Sequence, residues 1–230
     1  MRQQKLSRGP AVLPCRVYED EIQVEPKLVA EFGTSRRELL HVVAKVIGAR
    51  AEAVDDDPLG ASGQFAYIFG TRNLRGVWTP KGWHRFREEN VEAVRDPASG
   101  RQIVYQSVDV AGQVRRNPLA IRGKGSGARR LIDAGQGTLF SEDEIPERFP
   151  AFLGDVPLVW YFCVSAEQVD GELHVGAELS LPRPFKGNNF AGFLERIFIR
   201  PNGPWGREGI KSDLPDDGVV EFEPKITRKK

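Results

Sequence analysis

The sequence predicts an α+β fold: an antiparallel or mixed sheet built from hairpins, with one well-capped helix and one or two further short helices. Three observations carry this. Leu173, Val175, Ala177, Leu179 and Leu181 alternate strictly with Glu172, His174, Gly176, Glu178 and Ser180, which is strand periodicity. Asp170-Gly171, just before them, is two-residue hairpin chemistry, and the apolar run 156–164 lies on its other side. Ser35, with Glu38 three residues on, opens a capping box ahead of Leu39, Leu40, Val43, Val46 and Ile47, a stripe at helical spacing.

Along the chain, residues 1–14 form a basic arm with turn residues. Arg16 to Val24 suits a strand, closed by Pro26. The capped helix covers 35–47, and Gly48 is placed to end it in a left-handed conformation. Asp55-Asp56-Asp57-Pro58 is an acidic turn. Phe65 to Phe69 is a short apolar run of ambiguous type; Leu74, Val77 and Trp78 extend it at helical spacing, against the weakening effect of Gly70 and Gly76. Thr79-Pro80-Lys81-Gly82 is a turn. Val91–Val94 and Gln102–Val110 read as strands joined by Asp96-Pro97-Ala98-Ser99-Gly100. Val156–Val164 is continuously apolar, so it reads as a strand buried on both faces. Residues 189–199 suit a short helix running into a strand, and Val219–Phe222 a last strand before the basic tail 226–230. The main body, 15–225, is one α+β domain, or two halves (15–110 and 150–225) joined by the segment 112–150.

Composition excludes several classes. Lys and Arg number 33 against 32 Asp and Glu, so the chain is not a uniformly basic coat for nucleic acid, though a local basic site is compatible with that balance. Cys15 and Cys163 form no CxxC pair and read as reduced cytosolic thiols. No apolar run reaches membrane-spanning length, and no apolar core follows the charged start Met1-Arg2-Gln3-Gln4-Lys5. The expected compartment is therefore the cytoplasm, with no membrane partner.

The segment 112–150 differs from its surroundings in being rich in Gly, Arg, Pro and acids. Arg115, Arg116, Arg122, Lys124, Arg129 and Arg130 fall in it before the first acid, Asp133, and Gly123, Gly125 and Gly127 alternate among them. Glycine lets backbone N–H groups approach a phosphate, and guanidinium forks bind its oxygens in pairs. The spacing fits neither a Walker A loop nor a dinucleotide fingerprint. The first expectation is a non-enzymatic protein or subunit that binds DNA or RNA through this loop, without a cofactor; the basic termini (Arg2, Lys5 and Arg8; Arg228, Lys229 and Lys230) add attraction.

Two alternatives stand beside it. Pro215-Asp216 and Glu223-Pro224-Lys225 resemble, in degenerate form, the PD…ExK signature of restriction-type nucleases. That resemblance implies a Mg2+-dependent site on Asp216, Glu223 and Lys225. Its weakness is Pro224, which cannot donate to a sheet ladder; Glu25-Pro26-Lys27 repeats the tripeptide and suggests a strand-ending turn in both places. The other alternative is an assembly subunit that meets a protein partner or a second copy of itself through the acidic stretch Ser141–Glu147.

Lesser candidates complete the search. His84 and Glu88 share a face if they lie on a helix, but no third ligand is evident, so no metal site is expected. His41 and His174 have no Ser or Cys beside them. Cys163 reads as an inert core thiol. Glu178 and Glu195 make either a carboxylate pair or, more simply, solvated or Arg-paired glutamates. Trp160 and Tyr161 read as core; Trp78, Trp83 and Trp205, near Pro/Gly turns, are candidates for a base-stacking platform.

Overall fold

Seven strands form one mixed sheet in the computed structural model, in the order 16–18, 193–204, 172–182, 159–169, 102–107, 91–95 and 84–88. The structure describes residues 14–88, 90–121, 158–183, 185–186 and 189–206. In chain order the elements are β1 (Arg16–Tyr18), α1 (Glu21–Phe32), α2 (Arg36–Ala51), α3 (Ala61–Trp78), a 3-10 turn (Thr79–Lys81), β2 (His84–Glu88), β3 (Val91–Arg95), β4 (Gln102–Ser107), β5 (Val159–Val169), β6 (Glu172–Pro182), β7 (Phe185–Lys186), β8 (Asn189–Phe190) and β9 (Phe193–Pro204). β1 runs parallel to β9 and β4 parallel to β5; the other pairs are antiparallel. The fold is α+β. Strands from both sides of the Gly/Arg-rich segment share the sheet through the β4–β5 ladder.

The three helices cover one face. Val24, Leu28 and Phe32 of α1 and Val43, Val46 and Ile47 of α2 pack with Trp160, Phe162, Ala177, Leu179 and Ile197 from the strands. The opposite face carries a smaller cluster, including Val104, Tyr161, Cys163, Phe190 and Phe193. Both faces of the central strands are thus buried, which is why β5 reads as an unbroken apolar run.

The segment expected to be a strand up to Val24 is different. β1 ends at Tyr18, and Asp20 caps α1 by accepting the Ile22 N–H at 3.0 Å. Pro26 lies inside the helix, so Glu25-Pro26-Lys27 is no turn. An interior proline costs about 3 kcal/mol. Val24, Leu28 and Phe32 sit one above the other, none more than 1% exposed. At roughly 1.5–3 kcal/mol for each buried side chain, the stripe outweighs the proline.

Ser35 and Glu38 form the reciprocal capping box, as their spacing predicts. Gly48 does not end α2, which runs on to Ala51 because its buried stripe continues through Ala49. α3 is an 18-residue helix, well beyond the short run that its glycines suggested. Gly70 is where α3 presses on β4: a Cβ there would lie 2.3 Å from the Tyr105 ring. Asp170 and Gly171 both adopt positive φ, at 50° and 83°, as a type I′ hairpin requires.

Residues 189–199 form no helix; they make β8, a two-residue link and the first part of β9. Phe193, Leu194, Ile197 and Phe198 satisfy helical spacing by coincidence, because a strand buried on both faces is apolar at every parity. Residues 219–222 and the basic tail lie outside the described residues. Among the described residues, no helix is long and apolar enough to cross a membrane.

Candidate functional site

The β3–β4 ladder is short. It pairs Ala93 with Val104, Val94 with Ile103 and Arg95 with Gln102, and there it stops. β4 continues through Tyr105, Gln106 and Ser107 without β3 beside it. A cavity of about 740 Å³ occupies this gap. Because the gap interrupts the sheet, residues of both faces reach it: Tyr105 from the helix side, Val104 and Tyr161 from the other.

The first turns of α3 form one wall, through Gly60, Ser62, Gly63, Gln64, Tyr67 and Ile68. The N-cap of α3 is Gly60 in a left-handed conformation, with no side-chain cap and no acid in the first turn. Tyr67 and Ile68 are 40% and 47% exposed, so an aromatic ring and an aliphatic chain stand at the mouth. Tyr67 and Tyr105 are ring neighbours, 6.5 Å between centroids and tilted by 59°. Burial pushes the Tyr105 phenol up to about 12, against a weaker opposing pull from its hydrogen bond with Ser107. It stays neutral at working pH.

Two charged residues line the cavity, and they differ in their partners. Glu92 is held from both sides by Arg75 of α3 and Arg87 of β2. Burial alone would lift its carboxyl, but these guanidiniums bring it below its ordinary value. Arg50, near the C-terminus of α2, is half-buried and makes no ion pair among the described residues. The lining thus holds one carboxylate that two arginines outside it already engage, and one guanidinium, Arg50.

The basic character continues along β2. This strand closes the sheet, with no strand on its outer side among the described residues. It presents His84, Arg85, Arg87 and Glu88 exposed, around a half-buried Phe86. Arg95 of β3 lies over the Phe86 ring at 5.7 Å, and His84, Arg85, Phe86, Arg95 and Pro97 line a shallow depression of about 310 Å³. Arg85 and Arg95 have no acidic partner among the described residues. Arg72 of α3 is likewise free of acids and lies 4.7 Å from the Phe69 ring.

The predicted basic residues divide. Arg115 is exposed. Arg116 pairs with Asp109 at 2.8 Å, and the same carboxylate accepts the Leu119 N–H at 2.7 Å, so this arginine pins its own loop. Arg122, Lys124, Arg129 and Arg130 lie outside the described residues, as do Asp216, Glu223 and Lys225 and the acidic stretch 141–147. Ile121, the residue before Arg122, lines the cavity.

The structure also places the remaining candidates. His84 and Glu88 lie on a strand, where four residues span about 13 Å, too far to share a metal ion. Among the described residues, no group of His, Cys, Asp and Glu is placed to hold one. Glu178 and Glu195 are not a catalytic pair. Glu178 faces Arg196, whereas Glu195 projects to the helix side and meets Lys27 of α1 at 2.9 Å. Trp78 and Trp83 are core residues, 0% and 8% exposed, and offer no platform for stacking. Trp205 is half-buried beside Arg200. Cys15 and Cys163 are free thiols, Cys163 fully buried.

Sequence reasoning passed over Arg50, Tyr67, Arg85, Arg87 and Arg95. The one available signal was the alternation of His84-Arg85-Phe86-Arg87, which places cations around an aromatic ring. No family model, no curated protein and no solved structure matches this chain.

Proposed function

We propose that the protein associates with nucleic acid in the cytoplasm, holding the phosphate backbone along the β2 edge and the adjoining cavity rim. The observation that supports this is a set of exposed or half-exposed guanidiniums with no acidic partner among the described residues: Arg72 beside the Phe69 ring, and Arg85 and Arg95 beside Phe86. Such groups are free to exchange counterions for phosphates. The Gly/Arg-rich segment enters the same reading, since its cation Arg122 follows Ile121 at the cavity wall. Backbone contacts of this kind position a strand without reading its sequence.

The test is fluorescence anisotropy of the full chain against random single- and double-stranded DNA and RNA, at about 50 and 200 mM salt, the range where phosphate contacts show themselves. Salt-sensitive binding is expected, with a shallower salt dependence when Arg85, Arg87 and Arg95 are all changed to Ala. Absence of binding to all four polymers overturns the reading, and so does an unchanged slope in the triple variant combined with Ala at Arg115, Arg116, Arg122, Lys124, Arg129 and Arg130. Exposed Ile68 and Ile121 in the cavity lining favour a second reading, a protein partner at the same place.

A further inference from the structure

The cavity between β3 and β4 has a chemistry of its own, distinct from the charged edge. Its volume of about 740 Å³ falls among sites that enclose small molecules. Its charge excludes a cationic ligand: the carboxylate that lines it, Glu92, is already engaged by Arg75 and Arg87. Arg50 instead brings to the lining a half-buried positive charge that no acid among the described residues pairs with. A guanidinium in that position gains from an anion with two oxygens to accept its fork.

The rest of the lining suits a flat, hydrogen-bonding body attached to that anion. Tyr67 offers an accessible ring, with Ile68 and Val104 beside it in the lining. Gln64 and Asn90 add amide groups, which both donate and accept and so can meet the edge of a heterocycle. An anionic end and an amide-bearing, ring-lined body together match a nucleobase with its phosphate.

From this geometry we infer that the cavity takes one nucleotide unit, an unstacked base against Tyr67 with its 5′-phosphate on Arg50. The inference rests on the nucleic-acid reading and adds a specific occupant to it. A base must leave its stack to enter, which favours single-stranded regions and strand ends over intact duplex. The edge strand β2 then holds the flanking phosphates through Arg85, with Arg95 of β3 beside it.

The experiment is calorimetric titration of the full chain with the four nucleoside 5′-monophosphates, the parent nucleosides and inorganic phosphate. At least one monophosphate is expected to bind, and its nucleoside and phosphate alone at least about tenfold more weakly, the scale of a charge-assisted hydrogen bond. Arg50→Ala should weaken the monophosphate about tenfold and leave the nucleoside unchanged. Tyr67→Ala should weaken both. Arg50 and Tyr67 are not core residues, and circular dichroism with Tm verifies that both variants fold. No binding by any monophosphate, or binding indifferent to Arg50→Ala, overturns the inference. If polynucleotides still bind in a manner sensitive to Arg85, Arg87 and Arg95, only the cavity assignment falls. If monophosphates bind through Arg50 and polynucleotides do not bind, the backbone reading falls and the cavity is a site for free nucleotides.

Discussion

Arg196 of β9 sets its Nε and Nη2 on the two carboxylate oxygens of Glu178 on β6, at 2.8 and 2.6 Å, with neither side chain more than 1% exposed. The remaining capacity of the carboxylate is taken by the Ser180 hydroxyl and the Gly112 N–H, both at 2.7 Å. The guanidinium lies 5.8 and 5.0 Å from the Phe193 and Phe198 rings. Removing one member leaves the other charge buried alone. Glu178→Ala should cost about 3–5 kcal/mol in urea unfolding, and joint replacement by Leu and Met much less than the sum of the single changes. A loss under about 1 kcal/mol for the single change would show that water reaches this pair.

Gly70 fixes the distance between α3 and β4. Ala there places a methyl carbon 2.3 Å from a Tyr105 ring that is itself 2% exposed. Overpacking of this kind costs about 1–3 kcal/mol. Gly76→Ala meets nothing within 4 Å and should raise stability by up to about 1 kcal/mol. Thermal unfolding of the two variants should therefore shift in opposite directions, and equal shifts would contradict the helix placement.

The cap of α2 gives a pH signature. Partial burial would raise the Glu38 carboxyl, but Lys81, the Ser35 backbone and Thr34 hold it below its ordinary 4.5. Its folded pKa is depressed, so its contribution is present above pH 4.5 and is lost as pH falls through the folded value. Ser35→Ala should cost about 1 kcal/mol at neutral pH. Lys81→Met should flatten the acid limb of the stability curve, measured by urea titration between pH 2 and 6. An unaltered acid limb would remove Glu38 from this role.

All four tyrosines, Tyr18, Tyr67, Tyr105 and Tyr161, are raised above 10, and burial is the largest cause in each. A raised phenol keeps its stabilising contribution below pH 10 and loses it as pH climbs through the folded value. Phenolate absorbance at 295 nm should therefore lag behind that of the urea-unfolded chain, with Tyr105 and Tyr161 appearing last, together with unfolding. A titration overlaying that of free tyrosine would contradict their burial.

The sequence disclosed local chemistry more readily than context. Ser35 with Glu38, and Asp170 with Gly171, are self-contained signals, since each turn is decided within a few residues. The alternation of β6 was legible too, but not its meaning. Glu178 and Ser180 look like a wetted face, and only the neighbouring strand, through Arg196, buries them. Pro26 concealed α1, because the stripe that offsets it packs on strands far along the chain. The candidate site was the least legible of all. Arg50, Tyr67 and Glu92 lie on three elements, and what unites them is the point where a ladder stops.

The sheet order also has a consequence for synthesis. α1 and α2 leave the ribosome early, yet they lean on β9, and β1 pairs with that same strand. Phe193 follows Phe32 by about 160 residues, an interval of roughly 8–32 s at 5–20 residues per second. For that time Val24, Leu28, Phe32 and Val43 have no strand from β9 to cover them. Slowing translation after α3 prolongs that exposure and should lower the yield of folded protein.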